Sequence, residues 1–443
     1  MNTNRITAIF RPDPPQPITV TDPEEIRARY KPWQVQILFS TIIGYAIFYF
    51  VRKNLSIAMP AIQATLHLNK IEMGTILTLH GLVYGVSKFW HGIVGDRANA
   101  RRLMVTGIIG SAVFNIFFGM SASVIALGIF WMINGYFQGM GFPPCARLLT
   151  HWFPPKQLAS KMSIWNTSHC IGGGLIVILC GYLVTGGWRY CFFVPAVLAL
   201  LCAYYLARTL PDTPPSVGLP EVEGTHEKVR EETTAEFREM LMQRVFRNKD
   251  IWIISFANFF VYTIRYAVFD WGPTLLTETK HYQITRAGWM LAGFECAGAI
   301  GALIAGWMTD RFFQGRAMRV GVIAMALAGV SLWLFWKVPH QTLLESSLLL
   351  CATGFFIYCP QCLIATAVAN LATKRAAATA VGLTSIFGYG STLLSGAGLG
   401  TLVHYHGWDA GFAGLLIVAG MGLVVCAAAW GADAHGYARV KDA

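Results

Sequence analysis

The sequence predicts an all-α membrane protein whose twelve transmembrane helices form two pseudo-symmetric bundles of six. Three observations predict this fold class: a low content of charge, apolar blocks of membrane-spanning length, and an internal repeat. Of the 443 residues, 55% are hydrophobic and 13% are charged, and the mean hydropathy is +0.49. A soluble domain has roughly 25% charged residues. This chain therefore cannot cover a water-exposed surface of ordinary size.

The apolar residues come in blocks close to the roughly 20 residues that a helix needs to cross a bilayer. Val35–Val51, Leu103–Ala122 and Val320–Trp336 contain few or no formal charges. The 44 glycines are typical of helices that pack closely in lipid. We predict spans at about 34–58, 72–95, 102–122, 124–148, 159–185, 188–208, 251–275, 286–308, 318–337, 346–370, 377–403 and 410–430.

One long polar stretch, Pro211–Asp250, divides the chain. It predicts an N-terminal half over 1–210, a cytoplasmic linker over 211–250 and a C-terminal half over 251–443. Within the linker, we expect Glu236–Phe246 to form a short amphipathic helix on the membrane face. Lys and Arg are concentrated at the span ends on one side of the membrane, so both termini are expected to be cytoplasmic. The expected location is the inner membrane of the cell. The net charge of +11 has this origin, and no nucleic-acid partner is expected.

A repeat relates the two halves. Gly92–Arg97 ends the second span, and Gly306–Arg311 ends the eighth with the same Gly-x-x-x-Asp-Arg pattern. Gly187-Trp188 likewise recurs as Gly407-Trp408, at a similar separation in the sequence. The pattern favours a parallel six-plus-six arrangement, although helix termination with positive-inside charge also explains part of it. These Asp-Arg patterns resemble the cytoplasmic gate motif of the major facilitator superfamily, which implies a gate role for four residues: Asp96, Arg97, Asp310 and Arg311.

Two arginines, Arg52 and Arg265, lie well inside predicted spans and away from their ends. Their separation in the sequence is almost the same as that of the repeated Gly-x-x-x-Asp-Arg patterns. They therefore occupy equivalent positions in the first helix of each half, and we expect them to face one another across a central cavity. Burying a guanidinium at this depth costs at least about 2.5–3.5 kcal/mol, so it is normally functional. A planar fork of donors suits an oxyanion such as phosphate. The alternative is a pair of structural arginines, satisfied by backbone carbonyls or by Asp270 and Glu295.

Two further polar side chains, Lys88 and His169, lie inside predicted spans. Lys88 lies in the second span and His169 in the fifth, where Gly172–Gly174 would allow another helix to approach closely. His169 is a candidate substrate- or proton-linked group because imidazole titrates near neutral pH, and the alternative is a packing role. Tyrosines at helical spacing from the cations are candidates to line the cavity: Tyr45, Tyr49, Tyr84 and Tyr262.

No enzyme chemistry competes with this interpretation. The sequence contains no P-loop, no Gly-x-Ser-x-Gly elbow and no His-Glu-x-x-His motif. Cys359-Pro-Gln-Cys362 lies inside a span without a second pair, and His404-Tyr-His406 has no further ligands nearby. We expect no catalytic residue, no cofactor and no metal site.

Specific motifs carry a resemblance along essentially the whole chain. The chain resembles the organophosphate:inorganic phosphate antiporter family of the major facilitator superfamily, and within it the glycerol-3-phosphate carriers. The motifs are Gly44-Tyr45, Tyr49-Phe-Val-Arg52-Lys53-Asn54, Ser87-Lys88-Phe89, Phe137–Cys145, Trp165-Asn166-Thr-Ser-His169, Phe260–Tyr266, Asp270-Trp271, Tyr358 and Phe387–Gly390.

The resemblance implies exchange of a small organophosphate for inorganic phosphate by alternating access. Arg52 and Arg265 would clamp the phosphate, while His169 would assist binding or reorientation and Lys88 would add positive charge. Aromatic residues would line the cavity: Tyr45, Tyr49, Tyr84, Tyr262, Trp165, Tyr358 and Tyr389. Asp270 and Glu295 would have a structural or gating role. The expected partners are an organophosphate, inorganic phosphate and the lipid bilayer, and the chain is expected to act as a monomer.

Two departures from the family pattern concern the substrate. Phe142 stands where glycerol-phosphate carriers tend to have Trp, which leaves the size of the substrate open. The Asp/Lys pair that hexose-phosphate carriers place in the eleventh span is replaced by Val381 and Thr384, which disfavours hexose phosphate. A hexose-phosphate or phosphoglycerate antiporter remains an alternative. A membrane sensor of external sugar phosphate is another, because carriers and sensors of this family share the arginines.

Overall fold

A computed structural model describes residues 10–18, 22–95, 98–222, 239–338, 342–372 and 376–432. Across these ranges the secondary structure is helical, and no strand occurs in them. The predicted all-α fold class is confirmed.

The N-terminal part of the described chain consists of helices that follow one another with short connections. They are α1 (Pro23–Phe50), α2 (Asn54–Leu66), α3 (Lys70–Gly95), α4 (Ala100–Met120), α5 (Val124–Gln138), α6 (Phe142–Trp152), α7 (Pro155–Asn166), α8 (Ser168–Gly186) and α9 (Tyr190–Thr209). A short 3-10 turn, Pro214–Val217, follows them.

The C-terminal part is built in the same way. Its helices are α10 (Lys249–Thr279), α11 (Ile284–Phe312), α12 (Ala317–Lys337), α13 (Leu343–Ala372), α14 (Ala377–Gly390) and α15 (Leu399–Ala428). Two wider π turns occur, Met242–Phe246 before α10 and Leu393–Gly398 between α14 and α15. Of the predicted linker helix Glu236–Phe246, the described residues from 239 onward are helical, and the preceding ones lie outside the described ranges.

Ten helical stretches of the described residues are long and apolar enough to cross a membrane. Helix α3 has 26 residues, which is also long enough to cross a membrane, although it is not among these ten. Thr379–Ala428 contains two spans, because Gly407 interrupts the helix with φ 75° and ψ 179°. Adding α3 and dividing this stretch gives the twelve predicted spans within the described ranges.

The first span starts earlier than its predicted boundary near residue 34. Helix α1 begins at Pro23, because the Asp22 carboxylate accepts the backbone N–H of Glu25 at 3.3 Å and proline fits the first helical position. These first residues are polar, so hydropathy alone does not detect them.

Three spans of the first half are interrupted, a feature that the sequence analysis did not predict. The first span breaks at Val51–Lys53, the fourth between Gln138 and Phe142, and the fifth at Thr167. Each interruption adjoins or contains a candidate site residue: Arg52, Phe142 or His169.

The chain forms two compact units. Unit 1 comprises the described residues of Met1–Asn54, Val86–Ile176 and Arg189–Arg230. Unit 2 comprises those of Leu55–Gly85, Val177–Trp188 and Glu231–Ala443. Unit 2 therefore includes pieces of α2, α3 and α8 from the first half of the sequence.

Within unit 2, α3 packs closely on the segment from α14 to α15. A Cβ added to Gly74 would lie 2.5 Å from the carbonyl oxygen of Gly396, and one added to Gly85 would lie 2.8 Å from Cβ of Tyr389. The Thr78 hydroxyl donates to the carbonyl of Thr392 at 2.7 Å and accepts the N–H of Ala397 at 2.8 Å. Small residues allow the backbones to approach, and Thr78 hydrogen-bonds to the π turn directly.

Within unit 1, a polar cluster holds the N-terminal segment against the start of α4. The Asp13 carboxylate accepts Nη2 of Arg101 at 2.7 Å and Nη2 of Arg102 at 3.1 Å. Asp212, which is buried, accepts the N–H of Ala100 at 2.8 Å. Carboxylates at a helix N-terminus satisfy its first N–H groups and interact favourably with the helix dipole.

Candidate functional site

Arg52 lies in the break of the first span, on the aromatic ring of Tyr49. Its Cζ atom is 4.1 Å from the ring centroid, a distance at which a guanidinium is attracted to the ring face. The predicted helical spacing therefore brings the two side chains into contact. The residue as a whole is partly buried.

His169 also lies near the ring of Tyr49. The two ring centroids are 6.0 Å apart. A Cβ added to Gly172 would lie 2.5 Å from the carbonyl oxygen of Ala46 and 2.9 Å from Cβ of Tyr49, so a side chain there would force α8 away from α1. The predicted close approach at Gly172 is thus observed, and it places His169 in the same cluster as Arg52.

Aromatic side chains extend this Arg52 cluster. The ring centroids of Tyr45 and Trp165 are 4.8 Å apart, and those of Phe142 and Trp165 are 5.4 Å apart. Nζ of Lys88 is 4.3 Å from the centroid of Phe142. Phe142 therefore joins the Lys88 ammonium group to the aromatic wall that begins at Tyr49.

The break itself is held by buried amides that sequence reasoning did not single out. Asn115 and Asn134 donate their Nδ2 groups to the carbonyl of Val51, at 2.8 and 2.9 Å. Asn54 donates to Oδ1 of Asn115 at 2.8 Å. The available signal was the presence of asparagines inside apolar spans, since polar residues there usually bond between helices.

Arg265 forms a separate cluster in unit 2, inside the continuous helix α10. Its Nη2 donates to the Tyr358 hydroxyl at 2.6 Å, and that hydroxyl donates to Oε1 of Glu295 at 2.5 Å. Nη2 of Arg265 also lies 3.8 Å from Oε1 of Glu295. The exposed fractions of the three residues are 4%, 2% and 2%, so this is a buried charge pair joined by a phenol.

The sequence predicted these three residues in different roles. Tyr358 was expected to line the cavity, and Glu295 to be structural. The structure joins both to Arg265, so the carboxylate orients the phenol and the phenol orients the guanidinium. A Cβ added to Gly298 would lie 2.5 Å from the Tyr358 ring, which shows how closely α11 packs on that ring.

Three tyrosines extend the Arg265 cluster. The ring centroids of Tyr262 and Tyr389 are 6.1 Å apart, and those of Tyr389 and Tyr84 are 4.6 Å apart with their hydroxyls at 3.4 Å. Tyr84 therefore lies in unit 2, whereas Lys88, one helical turn later, lies in unit 1. Phenols can both donate and accept, which suits a hydroxylated ligand.

The residues predicted to have a gating or structural role are described only in part. Asp270 is half-buried, and Asp310 and Arg311 are exposed near the end of α11. Asp96 and Arg97 lie outside the described residues. The gate function of these positions stays a prediction.

Each cluster combines a guanidinium with rings and hydroxyl or imidazole groups. A guanidinium that is stacked or hydrogen-bonded on one side can offer its remaining N–H groups to two oxygens of one anion. Phenol hydroxyls nearby can bond to further polar groups of the same molecule. Such clusters can bind an oxyanion that carries a small polar group.

The sequence is similar to a known family of membrane transport proteins and to several of its members. The sequence profile of the Major Facilitator Superfamily matches residues 41–396. A "Glycerol-3-phosphate transporter" of Bacillus subtilis is 38% identical over 95% of this chain and 97% of its own length. A "Probable hexose phosphate transport protein" of Chlamydia pneumoniae is 37% identical over 96% and 97%. The "Membrane sensor protein UhpC" of Salmonella typhimurium is 37% identical over 91% and 92%.

The fold also matches a solved structure. A bacterial homologue of the human lysosomal transporter Spinster, in an inward-facing and unoccupied conformation, superposes with a TM-score of 0.73 at 17% identity. The match covers 90% of this chain and 96% of that one.

Proposed function

We propose that this chain, which belongs to the Major Facilitator Superfamily, is a secondary antiporter that exchanges glycerol-3-phosphate for inorganic phosphate by alternating access. The observation that carries the proposal is the pair of clusters around Arg52 and Arg265, two arginines at equivalent positions of the internal repeat. The relatives named for phosphate esters support the same class of substrate. Both termini are proposed to be cytoplasmic, and the monomer to be the working unit.

The arginines explain why transport would be an exchange. In this proposal the bound anion offsets the positive charge of the arginines, so anion binding stabilises the conformations through which the carrier passes. An empty carrier lacks this stabilisation and returns slowly. Net movement of one anion then requires a second anion for the return step.

Counterflow in proteoliposomes tests the exchange. Vesicles loaded with phosphate should take up labelled glycerol-3-phosphate, and unloaded vesicles should take up little, because the return step needs an anion. Equal uptake by both would refute the antiport proposal. Hexose phosphates and phosphoglycerate belong in the panel of competitors, since relatives carry those names.

A sensor is the second candidate function, favoured by one observation. A relative named as a membrane sensor matches 91% of this chain at 37% identity, as closely as relatives named as transporters. A sensor would bind a phosphate ester without rapid exchange. Binding by the purified protein, combined with no counterflow for any phosphate ester, would select it over the carrier.

His169 should make anion binding depend on pH. The protonated imidazole adds a positive donor beside Tyr49, so binding should weaken by roughly tenfold as pH rises from about 5.5 to about 8, beyond the change due to substrate ionisation. In His169→Gln this additional component should vanish. Equilibrium binding of labelled substrate across that range measures it.

Phosphate itself ionises in the same window. A phosphonate analogue of different pKa is therefore the control that separates substrate ionisation from protein ionisation. Superimposable profiles for the parent and His169→Gln would assign His169 to packing against Gly172.

A further inference from the structure

The asparagine network behind Arg52 has no place in the function proposed so far. The three side chains come from three helices: Asn54 begins α2, Asn115 lies in α4 and Asn134 lies in α5. All three are fully buried. Each is an uncharged group placed next to the backbone from which a candidate anion ligand projects.

The network is centred on one carbonyl group. Val51 has φ −101° and ψ 17°, so its peptide does not continue α1. Its carbonyl oxygen accepts Nδ2 of Asn115 at 2.8 Å and Nδ2 of Asn134 at 2.9 Å. A carbonyl at a helix end needs donors from outside the helix, and in an apolar environment only side chains can supply them.

Three further bonds hold Asn54 and Asn115 in place. Asn54 donates Nδ2 to Oδ1 of Asn115 and to the carbonyl of Cys191 in α9, both at 2.8 Å. Asn115 also donates to the carbonyl of Ser111 in its own helix at 2.9 Å. The network therefore ties the residues on both sides of the break to α4, α5 and α9.

The break decides where Arg52 points. The backbone N–H groups of Arg52 and Lys53 both approach the carbonyl of Tyr49, at 3.2 and 2.8 Å, in a tightened last turn. Arg265, in contrast, projects from the uninterrupted helix α10 and is oriented by the side chains of Tyr358 and Glu295. The break thus sets the backbone of Arg52, in addition to the stacking of its guanidinium on Tyr49.

We infer that Asn115 and Asn134, linked to Asn54, are positioning residues for Arg52. By holding the Val51 carbonyl out of the helix, they fix the direction in which the guanidinium leaves the chain and hence its fit to phosphate. The inference rests on the proposed function, since it deepens the role of Arg52 in anion binding. Hydrogen-bonded polar networks in a buried site give this kind of fixed geometry.

A mutant cycle on phosphate affinity tests the positioning role. Asn115→Leu in the parent should weaken phosphate binding about tenfold, because the guanidinium loses its fixed direction. In an Arg52→Lys background the same change should weaken phosphate binding by less than about twofold. Lysine does not form two parallel bonds to one phosphate, so its binding depends less on the direction of the side chain. An equal loss in both backgrounds would show that the asparagine acts independently of Arg52 and would overturn the inference.

Two further variants provide a replacement for Asn115→Leu and a control. Asn134→Leu removes one bond to Val51 and serves in the same cycle if Asn115→Leu does not fold. Gln36→Leu is the matched control: Gln36 lies in α1 and donates an amide to the carbonyl of Thr209 in α9 at 2.5 Å, away from the break. It should leave phosphate affinity within about twofold of the parent.

Hydrogen exchange separates this inference from the proposed function. Peptides covering residues 48–55 should exchange faster in Asn115→Leu and Asn134→Leu than in the parent and Gln36→Leu, whether or not phosphate binds. Unchanged exchange would refute the network's hold on the break. A parent protein that binds no phosphate, with exchange altered as expected, would refute only the proposed function.

Discussion

Arg52→Lys and Arg265→Lys should each lose most transport while keeping their positive charge. Lysine is a point charge and cannot form two parallel bonds to one phosphate, a loss of about 1.5–3 kcal/mol, or roughly tenfold to more than a hundredfold. It also cannot stack as a plane on Tyr49, as Arg52 does at 4.1 Å. Uptake of labelled glycerol-3-phosphate into phosphate-loaded vesicles, with phosphate binding measured in parallel, gives both effects.

Arg208→Lys provides the matched control for these substitutions. Arg208 also lies against an aromatic ring, 5.2 Å from the centroid of Tyr204, but it is exposed at the end of α9. Its replacement should leave transport unchanged. If Arg52→Lys or Arg265→Lys binds phosphate like the parent, that arginine is structural, as the alternative interpretation of the sequence holds.

Glu295→Leu should strongly destabilise the empty protein. Removing one member of a buried charge pair leaves the other without compensation and costs about 3–5 kcal/mol. Phosphate should restore part of the loss by supplying negative charge to Arg265, so the melting temperature of the variant should rise more with added phosphate than that of the parent. Thermal unfolding in detergent at several phosphate concentrations measures both quantities.

The control for Glu295 is Glu278→Gln. Glu278 also forms an ion pair, with Lys70 at 3.0 Å, but its side chain is 40% exposed, and exposed pairs contribute about 0–1 kcal/mol. The melting temperature of the Glu278→Gln variant should stay near that of the parent. A Glu295→Leu variant that melts like the parent without phosphate would show that Arg265 does not depend on this carboxylate.

Hydropathy and helical spacing were enough to predict much of this protein. The spans follow from block lengths, because lipid requires continuous apolar helices. The sequence also predicted two contacts: Tyr49 with Arg52 from their spacing, and a close helix approach at Gly172 from its missing side chain. The signals for these features are visible in short stretches of sequence.

Other features depend on tertiary contacts that no local pattern contains. The break at Val51–Lys53 contains no glycine or proline that would have predicted it from the sequence. It is stabilised by hydrogen bonds from Asn115 and Asn134, which lie in other helices. The partner of Arg265 was left open between Asp270 and Glu295. The structure joins it to Glu295 through Tyr358, which is far from Arg265 in the sequence and lies in another helix.

The π turn Leu393–Gly398 links the packing of α3 to the direction of a candidate site residue. Two backbone groups at this turn form hydrogen bonds with the Thr78 hydroxyl of α3. They are the carbonyl of Thr392 and the N–H of Ala397. When Thr78 withdraws, those groups can be satisfied again by rewinding the turn as α-helix. Absorbing one residue in this way rotates the preceding helix by about 100° about its axis. Tyr389, just before the turn, would then swing away from Tyr84, so that withdrawal of α3 from the turn is converted into rotation of a candidate site residue.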